Sequence, residues 1–113
     1  MAYSLKNKVV VITGSSGGLG AAAAQALAKK GARLALFDLR EQDATAQAKG
    51  LGASVDAKGW GVDVCSLESV AAAMAAAKKH FGRIDIVIAN AGIGLPCRVV
   101  IVWLRKPPGC CVH

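Results

Sequence analysis

Apolar positions along the chain fall in short unbroken runs, separated by longer stretches with helical spacing. Lys8–Ile12 is a continuous, β-branched run and predicts a strand buried on both faces. The alanine-rich stretch Leu19–Lys30 predicts a helix, with Gly31 as its left-handed C-cap. Arg33–Phe37 predicts a second strand, ending at Asp38. Glu41–Lys49 reads as a short helix with acids in its first turn and Gly50 behind it. Lys58–Val62 is a third strand, and its lower apolar content places it near an edge. Ser66 suits the N-cap of a helix from Leu67 to about His80, with Glu68 near its positive end and Gly82 closing it. Ile84–Ala89 is a fourth strand, followed by Asn90-Ala91-Gly92. The order β-α-β-α-β-α-β predicts an α/β sheet of parallel strands joined by right-handed crossovers. A nucleotide site then belongs at the strand C-termini, beside the first strand.

Each candidate functional residue falls at such an end. The first strand runs into Thr13-Gly14-Ser15-Ser16-Gly17-Gly18-Leu19-Gly20 and directly into the first helix. Gly14 lets the chain leave the strand in a tight turn, Gly18 permits close approach of a pyrophosphate, and Gly20 lets the helix pack on the strand. Backbone N–H groups and the positive end of a helix then converge where a phosphate can sit. No Lys-Ser/Thr follows the glycines, which excludes a Walker-type loop. Asp38 ends the second strand, where a carboxylate can accept from both hydroxyls of an adenosine ribose and repels a 2′-phosphate. No Lys or Arg occurs at positions 15–17 to pair with such a phosphate, so NAD is favoured over NADP, although Arg40 lies close by. A turn or capping role is the structural alternative for Asp38. Asp63, after the third strand, could accept from the adenine amine or equally cap a turn. Asn90 could border the ligand or bridge neighbouring strand ends.

Composition narrows the picture. The 113 residues allow one domain at most. The chain is 54% hydrophobic, but 22 of these residues are Ala and five residues are aromatic, so the core is thin for this length. No apolar run approaches the ~20 residues of a membrane span, and the start Met1-Ala2-Tyr3-Ser4-Leu5-Lys6 has no signal-peptide apolar region, so a cytoplasmic location is expected. The net charge of +7 is scattered over Lys29-Lys30, Lys78-Lys79, Arg98, Arg105 and Lys106. The lysine pairs sit at expected helix C-termini and no aromatic residues interleave, which argues against a nucleic-acid surface. Cys65, Cys97, Cys110 and Cys111 make no CxxC pair, and neither a disulfide framework nor a metal site is expected. Cys110-Cys111-Val112-His113 matches a prenylation box only formally. The rhythm of residues 1–92 stops abruptly. All three prolines (Pro96, Pro107, Pro108) and no acid lie in residues 93–113, which read as an atypical tail.

Thr-Gly-x-x-x-Gly-x-Gly, the Asp after strand two, Asp63-Val64 and Asn90-Ala91-Gly92 together resemble the short-chain dehydrogenase/reductase family over residues 5–92. The resemblance implies a Rossmann-type three-layer α/β/α fold, here a partial parallel sheet of strand order 3-2-1-4. It also implies a nicotinamide cofactor and hydride transfer between a secondary alcohol and a ketone. By matched position, Gly14, Ser16, Gly18, Leu19 and Gly20 would line the pyrophosphate, and Asp38 would hold the adenosine ribose. Asp63 and Val64 would contact adenine, and Asn90, Ala91 and Gly92 would border the adenosine-ribose side. The family's active-site Ser and Tyr-x-x-x-Lys are missing: Tyr3 is the only tyrosine, with Asn7 four places on, and no Ser lies beyond Ser69. Nor does the chain carry the helices that the family uses for assembly, so an oligomer is not expected. Three readings follow: the cofactor half of an oxidoreductase that does not turn over alone, a non-catalytic nucleotide-binding module, or a truncated or frameshifted product. The edge beside strand four is expected to be open unless Val99–Leu104 fills it, leaving the isolated chain marginally stable.

Overall fold

The computed structural model describes residues 5–15, 18–91 and 99–104. Tyr3, Cys97, Cys110, Cys111 and His113 lie outside them, as do Ser16 and Gly92. The elements are β1 (Val9–Thr13), α1 (Gly18–Lys29), β2 (Arg33–Asp38), α2 (Glu41–Gly50), β3 (Ala57–Gly61), α3 (Leu67–Phe81), β4 (Ile86–Ala91) and β5 (Val99–Leu104). They form one sheet in the order β3-β2-β1-β4-β5. The first four strands pair in parallel, with Val10 opposite both Leu34 and Ile86, and Leu34 opposite Ala57. β5 runs antiparallel to β4, from Ile86 opposite Leu104 to Ala91 opposite Val99. The edge beside β4 is therefore filled by backbone pairing, in the opposite direction to every other strand.

β1 explains why its sequence is continuously apolar. Val10 and Ile12 face a core made with Leu34, Leu36, Ala24, Ala44, Ala48 and Ile86, on the side covered by α1 and α2. Val9 and Val11 face the other side, with Ala35, Phe37, Val62, Ala73, Ala77 and Phe81, under α3. Successive side chains on a strand point to opposite faces, so a strand covered on both must be apolar at every position. Each fully buried Val or Ile contributes roughly 1.5–3 kcal/mol. The sheet between these two helical layers is the three-layer arrangement that the resemblance implies.

β3 lies at the sheet edge, and its two glycines have a packing cause. A Cβ on Gly59 would collide with the carbonyl carbon of Ala44 and come within 2.5 Å of Thr45 N and 2.6 Å of Ala44 O. The α2 backbone thus rests directly on the strand, an approach that only glycine permits. On the other face, Trp60 packs edge-on against Phe37, His80 and Phe81, and the Lys58 ammonium lies 5.3 Å from its ring centre.

The lower end of the sheet, where the strands begin, is tied by charge. Ile84 and Asp85 precede β4, which starts two residues later than its apolar run predicts. Asp85 and Val9 exchange hydrogen bonds: Asp85 N–H donates to Val9 O at 2.9 Å, and Val9 N–H donates to Asp85 Oδ2 at 3.0 Å. The other oxygen, Oδ1, accepts from Arg83 Nε at 2.9 Å and Nη2 at 2.5 Å. Burial raises the Asp85 pKa. The Arg83 and Val9 hydrogen bonds, together with the charges of Arg83 and Lys8, outweigh burial and hold the carboxyl below its ordinary value. Arg33, at the start of β2, donates from Nε and Nη2 to Asn7 O and from Nη1 to Phe81 O, at the negative end of α3.

Candidate functional site

The chain steps outward from β1 to β3, then returns to place β4 on the other side of β1. That reversal puts the switch point of the sheet between β1 and β4, and open α/β sheets bind ligands in a crevice beyond the strand C-termini at such a point. The turn after β1 stands at its mouth. Gly14 takes φ 62°, in the left-handed region, and turns the chain toward α1. A Cβ on Gly20 would collide with the Gly14 carbonyl oxygen and lie 2.9 Å from Ser15 Cα, so the first turn of α1 rests on the backbone of the turn itself. Gly18, at the first position of the helix, has nothing within 4 Å of where its Cβ would be. Among the described residues nothing therefore crowds Gly18 at the α1 N-terminus, and the helix carries no acid in its first turn to offset its positive end.

The turn is pinned to β2. Ser15 N–H donates to Phe37 O at 3.1 Å, which brings Asp38, the next residue, alongside the glycine turn. Ser15 is fully buried, and its Oγ has no hydrogen-bond partner among the described residues. An orphaned buried hydroxyl beside a glycine that nothing described crowds, at a helix N-terminus, fits the diphosphate of a dinucleotide. When bound, a nicotinamide dinucleotide supplies a carbon that accepts or donates hydride. Among the described residues no group of three or more side chains could hold a metal ion, and no helix is long and apolar enough to cross a membrane.

The other predicted residues are distributed as follows. Asp38 ends β2 opposite Gly61, and its carbonyl accepts from Val62 N–H at 2.7 Å. Asp63 begins the turn into α3. Its Oδ1 accepts from Cys65 N–H at 3.0 Å, its own N–H donates to Ser69 Oγ at 3.0 Å, and Ser66 Oγ accepts from Ser69 N–H at 3.2 Å as the α3 N-cap. The turn role of Asp63 is thus real, and Asp63 and its neighbour Val64 are both exposed. Asn90 and Ala91 do not follow β4; they are its last two residues, opposite Val100 and Val99. The β4 run is displaced because Asp85 is committed to the clamp below it. Leu19 lies in the first turn of α1. Ser16 and Gly92, as noted, fall outside the described residues. Ser15 was not singled out by the sequence pattern. Its signal was available only as a polar residue immediately behind the strand, which does not distinguish a buried hydroxyl from an exposed one.

A parallel sheet that reverses at β1, with a glycine turn at the reversal, defines a Rossmann-type nucleotide-binding fold. A family model described as short chain dehydrogenase matches residues 8–101, and the chain belongs to that family. It is similar to D-threitol dehydrogenase of Mycolicibacterium smegmatis, at 45% identity over 92 residues, covering 80% of this chain and 35% of that protein. It is also similar to a probable NADP-dependent mannitol dehydrogenase of Yarrowia lipolytica, at 40% identity over 92 residues, covering 80% of this chain and 33% of that one. Among solved structures, a short chain dehydrogenase/reductase of Burkholderia phymatum in complex with NAD superposes with TM-score 0.71 and 31% identity, covering 76% of this chain and 31% of that one. The chain spans about a third of the length of these relatives.

Proposed function

We propose that this chain is the NAD-binding part of a short-chain oxidoreductase that moves hydride between a secondary alcohol and a ketone. One observation carries the reading: the Ser15–Phe37 hydrogen bond sets Asp38 beside the glycine turn, so one cradle offers helix N–H groups to a diphosphate and a carboxylate to the neighbouring ribose. Gly14, Ser16, Gly18, Leu19 and Gly20 line the diphosphate in this proposal, and Asp38 accepts from the ribose hydroxyls. Asp63 and Val64 meet adenine, and Asn90, Ala91 and Gly92 border the adenosine side. The Asp38 carboxylate opposes a 2′-phosphate by like-charge repulsion, which favours NAD over NADP. The hydride chemistry belongs to the family. This stretch carries no Ser beyond Ser69 and no Tyr-x-x-x-Lys, so it binds cofactor and does not turn over alone.

Titration with NADH and NADPH, followed by nicotinamide fluorescence, tests the reading. Saturable NADH binding in the micromolar range is expected, with NADPH at least tenfold weaker. The variant Asp38→Ala should weaken NADH by about 10- to 100-fold, the loss of charge-assisted hydrogen bonds worth roughly 1.5–3 kcal/mol, and bring the two cofactors close together. No saturation at millimolar NADH, or a preference for NADPH, overturns it.

A further inference from the structure

β3 ends the sheet, and among the described residues no strand pairs with its outer edge. Its inner side is spent on β2: Leu34 N–H donates to Asp56 O at 2.9 Å, and Val62 N–H donates to Asp38 O at 2.7 Å. Backbone groups alternate in direction along a strand, so those of Ala57, Gly59 and Gly61 point outward. Such an edge is a template for another strand. The one charge in β3, Lys58, does not guard it, because its ammonium lies over the Trp60 ring on the α3 side of the sheet.

α2 runs in step with this edge. Glu41 stands over Gly61, and Ala44 and Thr45 stand over Gly59. Four helical residues rise about 6 Å and two strand residues about 6.6 Å, so Lys49 comes level with Ala57. Glu41, Thr45 and Lys49 line the groove between α2 and β3, with Gly52, Val55 and Ala57. Their four-residue spacing puts them on one face of the helix. Glu41 and Lys49 are exposed and make no ion pair among the described residues. They stand about 12 Å apart along the helix, too far to pair with each other. Helix and strand thus share one midpoint, at Thr45 and Gly59. A two-fold axis through it, normal to the sheet, sets Gly59 against Gly59 of a second copy and Ala57 against Gly61 of the second copy, with the strands antiparallel. The same rotation sets Glu41 against Lys49 of the second copy, and Lys49 against its Glu41. Opposite charges meet at both ends of the helix pair, with the small Thr45 at the centre. On the other face Lys58 comes opposite Trp60 of the second copy, a cation against an aromatic ring.

We propose that β3 and α2 form a docking surface for a second copy of this chain, paired antiparallel about Gly59 so that the two five-stranded sheets become one. The contact is self-complementary and closes on itself as a dimer. It uses elements that this chain has, so the missing assembly helices of the family do not bear on it.

Sedimentation velocity over a concentration series, with amide hydrogen exchange on the same samples, tests the proposal. A monomer–dimer equilibrium is expected, and the amides of Ala57, Gly59 and Gly61 should gain protection as the dimer forms. Glu41→Lys and Lys49→Glu each bring like charges face to face at both ends, and each should weaken dimerisation by about 10- to 100-fold. The double variant Glu41→Lys/Lys49→Glu restores opposite charges and should return the affinity to within about threefold of the unmodified chain. That recovery separates the interface from helix stability, since the double variant opposes the α2 dipole at both ends. A chain that stays monomeric up to about 1 mM overturns the proposal. So does a dimer indifferent to the single reversals, or a double variant no better than either. Should the variants fail to fold, exchange in the unmodified chain decides: edge amides whose protection does not rise with concentration overturn the proposal.

Discussion

Replacing Asp85 by Asn tests the buried carboxylate that ties the start of β4 to β1. Its carboxylate is 2% exposed and accepts from Val9 N–H and, at Oδ1, from both Nε and Nη2 of Arg83. An asparagine can keep its amide oxygen on Val9. Its NH2 group then faces Arg83, donor against donor. Losing charge-assisted acceptance costs roughly 1.5–3 kcal/mol. The Arg83 side chain is 41% exposed, so water recovers part of its share, and the pairing itself is credited with no more than about 1 kcal/mol. We expect Asp85→Asn to destabilise by about 2–3 kcal/mol, lowering the melting midpoint by about 10 °C. Urea denaturation should show a lower midpoint and an unchanged slope. The pH dependence supplies a second signature. The Asp85 pKa is depressed in the folded chain. Its stabilisation is therefore complete above the unfolded carboxylate value of about 3.9 and is lost as pH falls through the lower folded value. The variant should lose that part of the acid limb, up to about 1.4 kcal/mol per pH unit. Asp85 lies below β4, roughly 20 Å from Ala91 at 3.3 Å per residue. NADH affinity measured well below the melting midpoint should thus stay within twofold. A stability within about 0.5 kcal/mol of the unmodified chain would refute the reasoning, because the buried carboxylate would then contribute nothing net.

Two further substitutions probe local packing and capping. Gly59→Ala places a methyl against the α2 backbone at Ala44 and Thr45, and overpacking there should cost about 1–3 kcal/mol in chemical denaturation. Ser66→Ala removes the acceptor for Ser69 N–H at the α3 N-terminus, and the expected loss is about 1 kcal/mol, read by helix content and melting.

What could be read from sequence follows from how local each cause is. β1 was legible because burial on both faces leaves one pattern, four apolar residues in a row from Val9 to Ile12. The α3 boundaries were legible because their signals are adjacent in sequence: Ser66 caps one end and Gly82, at φ 86°, closes the other. β3 was placed near an edge from its composition, and the structure puts it there, but the reason for its glycines lies in α2, some fifteen residues earlier. Asp85 escaped notice because its partner Val9 stands 76 residues away. An acid between Ile84 and Ile86 was the only trace, and it also shifted the expected start of β4. The direction of β5 was not legible, since an apolar run from Val99 to Leu104 carries no polarity. In the site, the glycine turn and Asp38 were visible as types at strand ends, whereas the orphaned Ser15 hydroxyl emerged only from packing.

The registers also fix an order of assembly. β1 meets β2 across 24 residues, Val9 to Arg33, and β2 meets β3 across 23, Leu34 to Ala57. β4 must find β1 across 76, Val10 to Ile86. Loop-closure entropy rises with that separation, and distant pairings slow folding. The crevice is completed only when β4 docks, so the chain becomes competent for ligand at the end of folding. Cofactor present during refolding should accordingly slow unfolding while leaving the early folding rate untouched.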